Sequence, residues 1–352
     1  MALCDSSAFQ LCMANAAMFL DEFHHPTTFQ YEKSHEALTY YGQGARQVTR
    51  RLADPDECAS EGLITCVLGF ICHDLYVGTL DRWAYHIHGL KRMVQIRDGF
   101  KDLNENLQLF ASWFDLVGSA IKDTAPRLQD YSYFQVPSRE RVQKSALLAQ
   151  MIEELGQGSD ESGELVLALD EVATVCQFVN LYFRRAGFWR QENDLSSLQV
   201  LGPATYLLLS MSRFESTNPS CFLFVHEMMR VALLILLAGL KQAYELAAPE
   251  MDLFQSKLYA LVTTGTLQEG NFYLLPRLQI WALVTASLFQ VSEHQINTYA
   301  KEIHKRIPAC GFHDGASVLK HSGNILWIER LADTTVLEGL AFNIDQAQSS
   351  LV

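Results

Sequence analysis

Apolar residues recur at the period of an α-helix along most of the chain. The clearest case is residues 81–99, DRWAYHIHGLKRMVQIRDG. Four apolar residues in this segment fall on one helical stripe: Trp83, Ile87, Leu90 and Val94. The pattern predicts one amphipathic helix with Asp81 as its N-cap. We expect it to close at Gly99, which is free to adopt a positive φ.

The same period predicts further helices on both sides of this one. They cover residues 1–23, 32–52, 60–75, 104–122, 138–155, 164–185, 220–246, 276–290, 292–306 and 314–339. No run of alternating residues with hairpin turns indicates strands. We therefore expect an all-α fold, an antiparallel bundle or array of packed helix pairs in a single large domain over residues 1–352, with a flexible loop at about 156–163.

Local signals mark individual helix ends. Ser60 is a suitable N-cap for the helix that follows it. Ser292 and Gln295 form the pattern of a capping box. Pro308 and Gly311 are expected to break the helix that this box starts.

Charge and hydropathy narrow the choice of partners. The net charge of −13 repels phosphate backbones, so we expect no direct binding of nucleic acid. The most apolar run, 231–240, would span roughly 15 Å as a helix, about half a bilayer core. We interpret it as a buried helix, expect no membrane association, and place the protein in the nucleus or cytoplasm.

The cysteines do not indicate a metal site. The eight residues are scattered, and Cys-x2-Cys occurs nowhere in the sequence. Structural zinc needs close pairs of ligands on a turn. The adjacent His24 and His25 lack a further ligand nearby. We expect free, mostly buried thiols and neither a metal nor a cofactor.

One group of residues could carry acid–base chemistry. His73, Asp74 and His86 lie on two adjoining predicted helices. Histidine exchanges protons near neutral pH, and a carboxylate can orient it. These three are the catalytic candidates if the chain is an enzyme. The alternative is a buried histidine with satisfied hydrogen bonds beside a carboxylate at a helix end.

The order of several motifs resembles a known family. Trp83-x-x-His86-x-x-Gly89-Leu90 is followed by Arg97-Asp98-Gly99, and then by Trp113-Phe114-Asp115 before a proline. This order is similar to the fungal-specific regulatory domain that follows the binuclear zinc cluster of many fungal transcription factors. The motif positions are Trp83, His86, Gly89, Arg97, Trp113, Asp115 and Pro126.

Structural roles are expected for some of these positions, for His86 from the resemblance and for Gly89 and Asp115 from the residues themselves. In the family, His86 looks like a packing residue. Gly89 has no side chain to keep a neighbouring helix away. We expect Asp115 to pair with an arginine such as Arg97 or Arg127.

The resemblance implies a regulator that works in the nucleus, often on metabolic gene sets. The zinc-cluster spacing Cys-x2-Cys-x6-Cys is absent. We therefore expect a transcription-regulator-like protein that acts through a protein partner, such as a DNA-binding transcription factor, or through a small apolar metabolite, in control of secondary metabolism. A homodimer is compatible with this role.

Two alternatives stay open. The helical scaffold could serve as a small-molecule-binding protein or a cyclase- or isomerase-type enzyme of secondary metabolism, because a fold does not fix function. A zinc cluster could also be encoded upstream of Met1. A regulator is favoured over an enzyme, since the recognised motifs belong to a regulatory family.

Overall fold

The structure is a computed structural model of the chain. It describes residues 5–100, 102–128, 144–157, 162–185, 187–189, 195–213, 221–264, 274–289, 291–331 and 333–347. Within these ranges the chain forms fourteen α-helices and two short 3-10 helices, with no β-strand. The all-α prediction is confirmed.

In the described part of the chain, five helices belong to a first compact unit, Met1–Phe134. They are α1 Ser6–His24, α2 His35–Leu52, α3 Glu61–Val77, α4 Leu80–Ile96 and α5 Glu105–Lys122. A 3-10 helix, Tyr31–Lys33, precedes α2. Helix α1 packs against α2, and α3 packs against α1, α4 and α5. Nine of the 17 residues of α3 are buried, because its apolar face is wide.

Among the described residues, nine helices belong to a second compact unit, Gln135–Val352. They are α6 Ala146–Gly156, α7 Gly163–Tyr182, α8 Ser196–Ser210, α9 Cys221–Ala243, α10 Met251–Thr264, α11 Leu274–Ser287, α12 Glu293–Cys310, α13 Gly315–Gly323 and α14 Thr334–Gln346. Helix α9 packs against α7, α8, α10 and α11, and so forms the centre of this unit. Compact units can share one folding domain, so the single-domain prediction for residues 1–352 stays a prediction.

Helix α4 matches its predicted stripe but differs at its ends. Three stripe residues, Trp83, Ile87 and Leu90, are fully buried. Thr79 occupies the N-cap position and Asp81 lies in the first turn, so the prediction of Asp81 as N-cap is wrong. The short link after α3 starts the helix at Leu80, two residues earlier than an Asp81 cap allows. Gly99 adopts a φ of 101°, as expected.

The capping signals of the sequence are confirmed at two helices. Ser60 accepts a hydrogen bond from the Leu63 amide at the start of α3. Ser292 and Gln295 form the reciprocal capping box of α12. Pro308, however, lies inside α12, so the predicted break there is wrong. Pro308 lacks only its own N–H, and just two helical residues follow it, so α12 continues to Cys310 and is capped by Gly311, where φ is 72°.

The predicted helix over residues 314–339 is also wrong. Two helices, α13 and α14, cover this region, with a 3-10 helix at Glu329–Leu331 between them. Trp327 lies in the connection. Asn180 of α7 holds this connection, since its side-chain amide donates to the Trp327 carbonyl (2.8 Å) and accepts from the Glu329 amide (2.9 Å). Asp333 then caps α14.

Other predicted elements lie partly outside the described residues. The helix predicted from residue 138 begins at Ala146, with Ser145 as its N-cap, and residues 138–143 lie outside the described part. Helix α6 ends at Gly156 and α7 begins at Gly163, so the predicted break between them is present. Residues 158–161 of that loop are not among those described.

The apolar run 231–240 lies in α9 and is buried, as predicted. Two helical stretches among the described residues, Gly163–Tyr182 and Leu223–Ala243, are long and apolar enough to cross a bilayer by length and composition alone. The apolar window of the second is 94% buried within the protein. The central helix of a packed unit has the same composition, so these helices are weak evidence for a membrane span.

Candidate functional site at the junction of α3, α4 and α5

Trp83 of α4 packs against α5 and forms a hydrogen bond with it. Its side chain is fully buried, and its indole N–H donates to the Phe114 carbonyl at 3.1 Å. The ring lies against Gly118, where an added Cβ would be 2.0 Å from Trp83 Cε2. Only a glycine at position 118 therefore leaves room for the indole. Sequence reasoning missed Gly118, although a glycine inside an otherwise strong helix was a usable signal.

Gly89 does not have the role predicted for it. It is exposed, and no described atom lies within 4 Å of the position its Cβ would take. Helical residues are about 100° apart, so Gly89 points away from the side on which Trp83 and Leu90 are buried. The prediction that Gly89 admits a neighbouring helix of this unit is wrong. The close approach occurs at Gly118 instead.

Asp115 of α5 forms hydrogen bonds with the segment that follows the helix. Its carboxylate is buried and accepts hydrogen bonds from the backbone amides of Arg127 (2.8 Å) and Leu128 (2.7 Å). The half-buried Pro126 immediately precedes these two residues. Asp115 thus binds the backbone of Arg127 and not its guanidinium, so the prediction that it pairs with the side chain of Arg127 or Arg97 is wrong. The motif aspartate closes the turn after the motif helix.

The two arginines named for Asp115 bind backbone carbonyls instead. The Arg127 guanidinium donates to Ala84 O (2.8 Å) and lies 5.0 Å from the centre of the Trp83 ring. Arg97 donates to Ala59 O at 3.0 Å. Arg127 therefore covers the buried indole, and Arg97 ties the end of α4 to the turn before α3.

A second group of polar side chains lies where α1, α2, α3 and α4 meet. We call it the polar cluster, and its members are Asn15, Tyr31, Tyr41, His73, Asp74, Arg82 and His86. Trp113, the remaining motif residue, is half-buried on α5 and is not a member. The cluster contains all three catalytic candidates of the sequence analysis.

Asp74 is the charged centre of the polar cluster. It is fully buried, and its Oδ1 accepts from Arg82 Nη2 (2.6 Å) and Nε (3.0 Å). Thr79 donates to the same oxygen at 3.2 Å. Burial raises the pKa of Asp74, although Arg82 acts against this rise. Arg82 was not predicted, because it lies eight residues from Asp74 across the link between two helices.

His86 packs within the cluster. Its ring stacks on Phe70 with centroids 5.1 Å apart and planes at 13°. Its Nε2 lies 3.5 Å from both the Tyr41 hydroxyl and Asp74 Oδ2. Burial, assisted by the charge of Arg82, lowers the pKa of His86 to about 4. The imidazole is therefore neutral at pH 7, in agreement with a packing role.

His73 uses both ring nitrogens inside the protein. Nδ1 lies 2.6 Å from Asn15 Oδ1, and Nε2 lies 2.8 Å from the Tyr31 hydroxyl. Burial lowers the pKa of His73 to about 4. A histidine with two internal partners and a low pKa is poorly suited to exchange protons with a substrate. The cluster links five elements of the first unit, namely α1, the 3-10 helix, α2, α3 and α4.

The described residues contain no group of three or more His, Cys, Asp or Glu side chains that could hold a metal ion. Burial raises the pKa of the Cys66 thiol to about 12 and has the same effect on Cys176. Both thiols are therefore protonated at neutral pH.

The fold and this junction define an all-helical domain whose buried polar residues fasten helices to one another. Residues 1–238, more than half of the chain, match the family of the fungal specific transcription factor domain. The chain belongs to this family, and the resemblance seen in its motifs is confirmed. No curated protein and no solved structure matches the chain. Membership indicates a transcription-regulator-like role, which is consistent with a nuclear location.

Proposed function

We propose that this chain regulates transcription by binding a protein partner, a DNA-binding transcription factor, and does not itself contact DNA. One combination of observations carries the proposal. The chain belongs to a family of transcription-factor domains, yet its 352 residues carry a net charge of −13 and no Cys-x2-Cys pair. Phosphate contacts require basic surfaces, so a chain of this charge is better suited to a protein partner than to DNA.

The motif residues support this proposal by what they contact. Trp83 and Asp115 bind backbone groups of their own unit. Asp74 and Arg82 pair with each other between α3 and α4. Because these side chains are engaged within the protein, they maintain the shape of the domain, and recognition falls to surface residues.

The enzymatic alternative gains no support from the polar cluster. His73 is engaged at both nitrogens, and His86 stacks on a core phenylalanine. Catalysis would need one of these groups to reach a substrate. The polar cluster is therefore better suited to packing than to catalysis.

Deletion of the gene, combined with transcript profiling, tests the proposal. We expect a limited set of metabolic transcripts to change and the wild-type gene to restore them. The expectation that these genes serve secondary metabolism comes from the family resemblance and is tested by the same profile. A matched pair of alleles sharpens the result: Trp83→Ala should fail to restore the transcripts, and Tyr85→Ala, exposed on the same helix, should restore them.

A mobility-shift assay tests the proposed route. At physiological salt the purified chain alone should not shift promoter fragments of the affected genes. Addition of a DNA-binding factor that co-purifies with the chain should give a complex containing both proteins. Specific, tight binding by the isolated chain would contradict the proposal, and so would a deletion strain with unchanged transcripts.

A further inference from the structure

Helix α1 has two apolar faces, and only one of them is covered by its own unit. The inner face is buried against α2 and α3 through Leu11, Ala14 and Met18. On the opposite side, five exposed residues form what we call the outer stripe: Phe9, Cys12, Ala16, Phe19 and Phe23. The exposed fraction of Phe23 is 79% and that of Phe19 is 46%. Phenylalanines this exposed are costly to leave in water.

The outer stripe has the spacing of a helix-pairing seam. Its members follow one another at intervals of three, four, three and four residues. This heptad spacing places all five on one line along the helix and suits knobs-into-holes packing against a second helix. No charged residue belongs to the stripe. The neighbouring acids are used within the unit, since Asp21 accepts from Ser34 and Glu22 from Tyr76.

We propose that the outer stripe pairs with the same stripe of a second copy of the chain, in an antiparallel arrangement. The sizes of the side chains favour this occupant. In an antiparallel seam, Ala16 lies opposite Phe19 of the second copy, and Cys12 lies opposite Phe23. Each small residue then receives a large one. A parallel seam would set Cys12 and Ala16 against their own equivalents and leave gaps, which lower stability.

The area available fits a dimer of modest affinity. Two neighbours extend the stripe, namely Leu20, which is 55% exposed, and Tyr76, which is 49% exposed and lies 4.6 Å from the Phe19 ring. With the phenylalanines they offer roughly 500 Å² of apolar surface per copy. A pair would bury roughly 1,000 Å², at the lower limit for specific interfaces. We therefore expect a dimer that dissociates on dilution. This proposal does not rest on the proposed function.

Sedimentation velocity of the full chain across the micromolar range tests the pairing. The wild type should shift from monomer to dimer as its concentration rises. The Phe19→Glu, Phe23→Glu double variant should weaken dimerisation by at least about tenfold. Phe342→Glu, at an exposed phenylalanine of α14, is the matched control and should dimerise like the wild type. Equal melting temperatures and helical circular dichroism would exclude unfolding as the cause.

Cross-linking tests the antiparallel direction independently. Under mild oxidation, Phe23→Cys should give a covalent dimer through Cys12 of the other copy. The Cys12→Ser, Phe23→Cys double variant should not. A wild-type chain that cross-links through Cys12 alone would overturn the antiparallel arrangement. A wild type that stays monomeric at every concentration, or a glutamate variant that dimerises normally, would overturn the proposal itself.

Discussion

Helices α4 and α9 are both lined with apolar residues, yet the two compact units use them differently. Helix α4 buries a single stripe and leaves Tyr85, on its outer face, 77% exposed. Helix α9 is surrounded by four other helices and is buried on all sides. A stripe therefore tells which face of a helix is inside, whereas a uniformly apolar helix tells only that it is central.

Helices α4 and α9 also differ in how their arginines are paired. In the first unit, Arg82 reaches from α4 to Asp74 on α3, and its side chain is 39% exposed. In the second unit, Arg230 pairs with Glu227 one turn away on α9, with two contacts of 2.8 and 2.7 Å. Both members of this second pair are buried. One pair ties two helices together, and the other brings charge into the centre of a core.

The largest expected effect concerns the buried pair of α9. Arg230→Met removes the guanidinium and leaves Glu227 buried without it. We expect a loss of about 3–5 kcal/mol in the free energy of unfolding, because an uncompensated buried charge is costly. Urea unfolding of the full chain, followed by circular dichroism, measures this loss.

Arg92→Met is the matched control, since Arg92 is exposed on α4. It should change the free energy of unfolding by less than about 0.5 kcal/mol. If the two substitutions lowered the free energy of unfolding equally, the contrast between a buried arginine on α9 and an exposed one on α4 would be contradicted.

The next effect concerns the contact between α4 and α5. Gly118→Ala places a methyl group 2.0 Å from Trp83 Cε2, so the indole or the helix must shift. Overpacking of this kind lowers the free energy of unfolding by about 1–3 kcal/mol. Urea unfolding measures it, and a red shift of the tryptophan emission should accompany it. A variant with unchanged stability would mean that Trp83 does not occupy this site in solution.

A smaller effect depends on pH and belongs to the polar cluster. The pKa of His86 is about 4 in the folded protein against 6.5 for a free side chain. The unfolded chain therefore binds the proton first as pH falls. Stability from the neutral imidazole is complete above pH 6.5 and is lost as pH falls from 6.5 towards 4.

Lowering the pH from about 7.5 to about 5.5 should reduce the free energy of unfolding of both proteins. We expect this reduction to be about 1 kcal/mol smaller for His86→Gln than for the wild type. Urea unfolding at the two pH values measures the difference. His73 and Asp74 remain in both proteins; because Asp74 lies 3.5 Å from His86, the measured difference includes the coupling of that pair. His88→Gln, at an exposed position of the same helix, should keep the wild-type slope. Parallel slopes for all three proteins would contradict the burial of His86.

The smallest effect has the opposite sign. Gly89 lies inside α4, is exposed, and has no described atom near the position of a Cβ. Gly89→Ala should raise the free energy of unfolding by about 0.5–1 kcal/mol, because alanine restricts the unfolded chain and favours the helix. Gly89→Ala and Gly118→Ala are the same substitution, made once where a methyl group has free space and once where Trp83 fills that space. A destabilised Gly89→Ala protein would show that something covers this face.

Much of the fold follows from local patterns. The stripe of α4 and the caps at Ser60 and Ser292 depend on residues within one or two turns, so the sequence predicts them well. Pro308 misled the prediction, because its effect depends on how near the helix end lies. The break between α13 and α14 depends on Asn180, more than 140 residues away in the chain, and no local pattern reports that contact.

The candidate site divides in the same way. Trp83, Asp115 and the histidines stand out by residue type and spacing. Their partners do not: Gly118 is one of 20 glycines in the sequence, and Arg82 is identified only when α3 and α4 are packed together. Asp115 accepts hydrogen bonds from backbone amides. Almost every residue type has such an amide, so the sequence does not identify these partners. The sequence therefore predicts which residues belong to the site, but not which partners they contact.

The two fully buried tryptophans provide a consequence for spectroscopy. Trp83 donates to the Phe114 carbonyl and Trp281 to the Leu326 carbonyl, each at 3.1 Å, and each lies in a different unit. Variants in which one of these two residues is the only remaining tryptophan, with the other four replaced, would emit from a single dry, hydrogen-bonded environment. Their fluorescence would then report the melting of each half of the polypeptide separately, with no dye attached.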